Sequence, residues 1–381
     1  LTPTVVTGSQ RIAWRLQRQH LLDRAPAGSL VDVTSDLCGL HAQLMSSAEL
    51  TAWARVDDLG PDDVSRALWE DRSLLKLWAM RGTLHLLTAA DYPTFQLALA
   101  TISESRTKNW LKLLEMTQRE VDRVLEAIRV ALVDTALTRE ELAAEVAKRT
   151  RSKSLGERVL SGWGSMLKPG SFLGDLCFAP SDGRNVRFTN PYAWLGLDRP
   201  ETDPADAARE VGRRFLATYG PVTREEYQRW WGAVRTPLQT ERFLQSVDGV
   251  VEVDLDGTRA FMLEDDVETV ASMGKPTGVR LLPAFDVYVV TAPRNDSLVL
   301  DPALRDRVYR KSAWFSPVLL VNGRMEGVWK HEKKGKRVIV TVESFASVTP
   351  KVKKAAAEEA ERLATFLGGT LDLSFSAVNP A

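Results

Sequence analysis

One tetrapeptide occurs twice in this chain. Thr138-Arg139-Glu140-Glu141 recurs as Thr223-Arg224-Glu225-Glu226. Each is a Thr-x-x-Glu capping box, in which the Thr hydroxyl and the Glu carboxylate satisfy amides left free at a helix start. Each follows a longer amphipathic stretch, residues 119–133 in the first case and 205–219 in the second. After the first copy we expect a further helix, begun by the capping box Ser154-Leu155-Gly156-Glu157 and running to about residue 167. Strands at 172–178 and 185–188 follow it. After the second copy we expect a helix over 237–247 and strands at 250–255 and 259–263. Helix, turn, helix, helix, β-hairpin is the order of a winged helix. The plainer reading is that a capping box merely starts a helix, and the repeated downstream order is what argues against it.

The N-terminal third fits the same plan more loosely. Helices are expected over 9–22, after Thr34, from the cap at Ser46 to about Arg55, and from Pro61 to about Glu70. Residues 74–80 read as helix leading into a strand at 83–87. Ala147–Lys153 reads as a polar, basic linker. The last third changes character. Residues 287–292 and 318–321 read as strands, and 325–331 with 337–343 as a hairpin. Residues 351–366 form a closing amphipathic helix ended by Gly368-Gly369. The expected class is α+β: three tandem winged-helix units at 1–117, 118–200 and 201–265, then a β-rich portion at 266–381.

Charge and cysteine content narrow the function. Lys+Arg and Asp+Glu are both 50, so the net charge is zero and any nucleic-acid site must come from locally concentrated cations. Cys38 and Cys177 stand far apart, and no two of His20, His41, His85 and His331 are spaced as metal ligands. No apolar run reaches a membrane span, and Leu1-Thr2-Pro3-Thr4 does not read as a signal peptide. The expectation is a soluble, cytoplasmic, monomeric protein without cofactor or metal.

Leu40-His41-Ala42-Gln43-Leu44 places two neutral polar side chains two apart in an apolar stretch. Gly39 favours a break before them and Ser46 caps the next helix, so they should lie in an extended connector. There, residues two apart point the same way. Both accept a hydrogen bond from water while donating another, which suits orienting a water toward an electron-poor carbon. The alternative is a pair of buried polar groups capping neighbouring helix ends. In the segment Trp329–Arg337, Lys330, Lys333, Lys334, Lys336 and Arg337 crowd a hairpin tip, suited to a DNA groove or to phosphates, or simply solvated. Arg81, in Met80-Arg81-Gly82-Thr83-Leu84-His85, is compatible with a phosphate contact or a structural ion pair. No Gly-x-Gly-x-x-Gly, P-loop, Gly-x-Ser-x-Gly or HxE…CxxC pattern is present, which removes several common chemistries.

The chain resembles the AlkZ/YcaQ winged-helix DNA glycosylases. The matching stretches are Gly39–Gln43, Ala48-Glu49-Leu50, Trp53-Ala54-Arg55, Trp78–His85, Leu167-Lys168-Pro169, Tyr219-Gly220-Pro221, Trp230-Trp231-Gly232, Leu281–Asp286, Asn322-Gly323-Arg324 and Gly327-Val328-Trp329. The resemblance implies a C-shaped cleft for duplex DNA. It also implies monofunctional excision of alkylated bases, including bulky N7-alkylpurines and crosslinks. It adds Lys168 to the candidate DNA contacts and makes Gln43 catalytic. The family motif is commonly Gln-x-Gln or Gln-x-Asp, and here His41 stands first. The competing class is a non-catalytic winged-helix DNA-binding protein or regulator, indifferent to His41 and Gln43.

Overall fold

A computed structural model describes residues 3–102, 108–160, 164–232 and 235–377. Helix and sheet are mixed throughout. The chain forms two compact units, one of Leu1–Val64, Arg213–Tyr227 and Asp248–Ala381, the other of Ser65–Gly212 and Gln228–Val247. Among the described residues no helix is long and apolar enough to cross a membrane, and no group of three His, Cys, Asp or Glu side chains is placed to hold a metal.

The first unit is built on a five-stranded sheet, in the order Val279–Leu282, Val318–Val321, Arg324–Lys334, Arg337–Ser344 and Thr370–Ala377. Val338, Val340, Val342 and Ser344 are buried, the period-two pattern of a strand with one covered face. The helix expected at 351–366 runs over Pro350–Phe366 and buries Ala356, Ala360, Leu363 and Ala364 in one stripe. It does not close the chain. Thr370–Ala377 follows and pairs in parallel with Arg337–Ser344, and two parallel neighbours require such a crossover. A second sheet joins Thr4–Val6 in parallel to Val250–Leu255, which pairs with Thr258–Leu263. That hairpin turns at Asp256-Gly257, where both residues have positive φ, the Asp-Gly signal of a type I′ turn.

One strand expected in this unit is a helix. Val287–Thr291 is β-branched and looks like a strand, yet the Asp286 carboxylate caps it at the Tyr288 amide, 2.9 Å away. Tertiary burial of Val287, Tyr288, Val289 and Val290 overrides the local preference.

In the second unit the first capping box forms as expected, with Thr138 and Glu141 exchanging hydrogen bonds at the start of Arg139–Thr150. The strands Leu137–Thr138, Asn185–Thr189 and Cys177–Asp182 form a sheet in that order. Trp78, Phe178 and Phe188 pack ring to ring beside it. Three local expectations shift. Ser152, not Ser154, caps the helix Lys153–Glu157. Residues 161–163, inside the helix expected to reach 167, lie outside the described residues, and Leu167–Phe172 is helical, so the strand begins only at Cys177. The supposed linker at 147–153 is mostly the last turn of Arg139–Thr150, where Lys148 and Arg149 pair with Glu145, and only Arg151, left-handed, and Ser152 separate it from the next helix. Residues 74–80 are not helical: Leu74–Trp78 and Leu84–Thr88 form an antiparallel hairpin, with a turn at Met80–Gly82.

After the second capping box come helices Arg224–Trp231 and Pro237–Gln245 and then the hairpin of Val250–Leu263, in the expected order. Of the N-terminal helices, those at Gly8–Arg18, Met45–Trp53 and Asp63–Trp69 lie near their expected places, but the short helix expected after Thr34 is Leu30–Asp36, which ends just past that residue.

Candidate active site

The connector that carries His41 starts from a firmly held helix end. Leu30–Asp36 stops where Cys38 (φ 57°) and Gly39 (φ 100°) turn left-handed. Their amides reach back 2.9 Å to the carbonyls of Ser35 and Thr34, which satisfies the carbonyls a helix end leaves free. From the same unit, the Tyr219 hydroxyl donates to the Leu37 carbonyl at 2.8 Å and the Thr218 hydroxyl donates to that of Asp36. The segment supplying these two clamps is itself fixed. Arg15 donates to the carbonyls of Tyr219 and Pro221 and to Glu226 at 3.0 Å. Glu226 is the second capping-box carboxylate, and unlike Glu141 it is buried. Burial opposes its ionisation, but Arg15, Arg11 and the Thr223 amide outweigh that and hold it below the usual glutamate range.

Leu40–His41 is then a two-residue strand, and Ala42-Gln43-Leu44 bends into Met45–Trp53. The connector is as expected, and of its two polar side chains the imidazole is buried as expected while the amide is not. His41 is 4% exposed, whereas Gln43 is exposed. The strand ends at His41, so alternation does not carry through to Gln43, which sits in the bend. Leu44, rather than Ser46, occupies the cap position.

The His41 ring lies flat against Phe285, with centroids 5.1 Å apart and planes 7° from parallel. Phe285 is left-handed (φ 58°), a strained conformation for an aromatic residue. The next residue anchors it. Asp286 and Arg55 form a bidentate ion pair at 2.7 and 2.8 Å, and both side chains are fully buried. Arg55 lies just beyond the helix that follows Gln43, so the pair bolts that helix to the turn carrying Phe285. Phe285 also meets Trp314 edge-on at 5.0 Å.

Arg55, Phe285 and Asp286 stand in the sequence stretches matched above, but nothing local in the sequence signals an ion pair between positions so far apart, or a left-handed Phe. Trp314 carried no signal at all. What the arrangement offers chemically is a fixed imidazole and, two residues on, an exposed amide.

In the second unit Arg81 is also left-handed (φ 60°) and donates to the Trp230 carbonyl at 2.6 Å. Its other guanidinium nitrogen is 3.3 Å from His85 Nε2, while His85 Nδ1 is 3.0 Å from the Thr83 carbonyl. A carbonyl only accepts, so Nδ1 carries the proton and Nε2 accepts from Arg81. Lys168 belongs to the same cluster: a Cβ placed on Gly82 would lie 3.9 Å from its Nζ.

A model of the "DNA glycosylase AlkZ-like" family matches residues 34–366. The chain belongs to the AlkZ-like DNA glycosylase family. It is 38% identical over 325 residues to an interstrand DNA cross-link repair glycosylase of Streptomyces sahachiroi, covering 84% of this chain and 87% of that one. The solved structure of Streptomyces sahachiroi DNA glycosylase AlkZ superposes with a TM-score of 0.88 at 33% identity, over 99% of this chain and 100% of that one.

In this AlkZ-like chain the basic hairpin is longer than expected, with strands Arg324–Lys334 and Arg337–Ser344 joined by the two-residue turn Gly335-Lys336. Trp329 anchors its base, donating its indole N–H to the Leu282 carbonyl at 2.8 Å. The cations are not equivalent. Lys333 donates to the Leu367 carbonyl at 2.5 Å, Lys334 lies 3.1 Å from Glu332, and Arg337 pairs with Asp372. Lys330 and Lys336 are exposed and make no ion pair among the described residues. Partial desolvation lowers the His331 pKa from the usual imidazole value, although the side chain is still exposed at the surface.

Proposed function

We propose that this protein is a monofunctional DNA glycosylase that hydrolyses the N-glycosidic bond of N7-alkylated purines, bulky or crosslinked ones included, in duplex DNA. Alkylation at N7 makes the base cationic and a good leaving group. The C1′–N9 bond breaks with its electron pair going to the base, and positive charge develops at C1′. His41 and Gln43 orient a water onto C1′, and the proton that water sheds passes to solvent. The products are the free alkylated base and an abasic site. The observation that carries this reading is the contrast between them: a buried imidazole held by the Phe285 stack, and an exposed amide two residues away. No lysine nucleophile is involved, so the strand is left uncut.

We further propose three winged helices, at 1–117, 118–200 and 201–265, with Arg81 and Lys168 on the DNA phosphates and the Lys330–Arg337 hairpin as a further contact. The twice-repeated order of capped helix, helix and hairpin supports this division. The relatives' names supply the substrate class, since one is a cross-link repair glycosylase.

The test is incubation with duplex DNA carrying one N7-methylguanine, reading free base and alkali-labile sites, for the wild type and for Gln43→Ala. Excision should fall about 10²-fold or more in the variant, by analogy with loss of a positioned acid–base group, while DNA binding persists. Near-normal excision by a folded Gln43→Ala protein removes the catalytic assignment. No excision by the wild type, with intact binding, favours a non-catalytic DNA-binding protein.

A further inference from the structure

In the same unit as His41 lies a pocket of about 450 Å³ that the reaction above does not use, one of whose lining residues, Trp314, meets Phe285. Its volume falls in the range of small-ligand sites, about 300–1,000 Å³. Trp314 lines one side and is 44% exposed, a large apolar surface to leave in water. Trp329, Lys330, Arg310 and Arg307 also line the pocket. Arg307 is neutralised by Glu343 at 2.7 Å. Arg310 and Lys330 are exposed and make no ion pair among the described residues.

The loop presenting Trp314 is strained. Tyr309–Arg310 pairs with Trp314–Phe315, and between them Ser312 (φ 58°) and Ala313 (φ 56°) are both left-handed. Such backbone persists where the surroundings over-determine it, and it concentrates at ligand sites. Here Phe315 and Tyr309 pack against each other, Arg294 lies over both rings, and Phe285 meets Trp314 edge-on. The indole is thus fixed in place rather than loosely exposed.

An exposed, rigid indole next to unpaired cations is the combination that binds a nucleotide: the ring stacks on the base and the cations hold the phosphate. We propose that this pocket is a nucleotide subsite, taking one unstacked base of the DNA against Trp314 while Arg310 and Lys330 hold its phosphate. The proposal rests on the reading that the protein acts on DNA. It extends that reading by giving the strand a second point of attachment, one ring away from the residue that stacks on His41. Occupying it would set the register of the strand at the catalytic connector.

The experiment compares binding of a short oligothymidylate with binding of an abasic oligomer carrying the same number of phosphates. Stacking on an aromatic side chain predicts that the wild type favours the base-carrying strand by roughly 5- to 150-fold. Trp314→Ala should erase that preference, and Trp314→Phe, which keeps an aromatic face, should retain part of it. Arg310→Ala and Lys330→Ala should weaken binding of both strands while preserving the preference, each lowering the log–log salt slope by about 0.7. Equal affinity of the wild type for both oligomers, or a preference that survives Trp314→Ala, overturns the proposal. Excision of N7-methylguanine by the wild type is measured in parallel. Excision without base preference removes the subsite and leaves the glycosylase reading standing, and base preference without excision does the reverse.

Discussion

Arg55→Met should release the turn that holds His41. The substitution conserves much of the buried volume and strands the Asp286 carboxylate, which is fully buried and loses both of its guanidinium contacts. Breaking a buried pair from one side costs about 3–5 kcal/mol. Part of this returns if Phe285 relaxes from its left-handed backbone, worth about 1–2 kcal/mol. The net loss is then about 1–4 kcal/mol, from the two ranges taken together. Arg55→Met combined with Asp286→Leu leaves no buried charge. It should be less destabilised than Arg55→Met alone, although it loses the cap on Val287–Thr291, worth about 1 kcal/mol. Because the chain has two compact units, a single melting curve mixes them, so the measurement is amide hydrogen exchange over Met45–Trp53, which reads opening free energy segment by segment. Excision should drop in parallel, because His41 loses its stacking partner. A pairwise coupling energy below about 0.5 kcal/mol would mean that the two residues act independently and that Arg55 and Asp286 form no bolt.

Three other outcomes follow from the geometry. If neutral His41 accepts a hydrogen bond from the attacking water, single-turnover excision should fall as pH drops through the range where imidazoles protonate, and His41→Gln should keep activity and lose that acid limb. An inactive variant, or an unchanged limb, would make His41 a structural residue. Glu226 is held below its usual value of 4.5, so its contribution to stability is complete above pH 4.5 and disappears as pH falls below it. Glu226→Gln should therefore be less stable near neutrality, by about 3 kcal/mol if a buried pair is broken, with the gap to wild type closing in acid by hydrogen exchange. In the hairpin, Lys336→Ala should lower the log–log salt slope of DNA binding by roughly one, and Lys334→Ala by clearly less, because Glu332 already neutralises it; equal effects would refute that ranking.

What the sequence made legible was what depends on neighbours. Capping boxes at Thr138 and Thr223, the break at Gly39 and the hairpin over 325–343 each need only a few adjacent residues. The errors came where distant packing decided the outcome. Val287–Val290 carries strand propensity but is buried on all sides and capped as a helix by Asp286. Leu74–Trp78 is an apolar run too short for periodicity to separate helix from strand. The connector around His41 was readable because glycine and a following helix bracket it. What covers His41 was not, because the ring stands far along the chain, and so does the ion pair that steadies that ring.

Strain explains why so much distant packing converges on one short connector. Cys38, Phe285, Ser312 and Ala313 are all left-handed without being glycine, and all lie in the unit that carries His41. Each such residue costs about 1–2 kcal/mol relative to a relaxed backbone. Glycine would remove that cost at each position, but at Phe285 it would also remove the face against which His41 lies. The strained backbone there is therefore the condition for placing an aromatic ring where a relaxed chain would turn it elsewhere. The buried Arg55–Asp286 pair resists the relaxation. Gln43 needs none of this support: it sits exposed in the bend. One member of the motif is thus held still by the fold, and the other is left open to solvent.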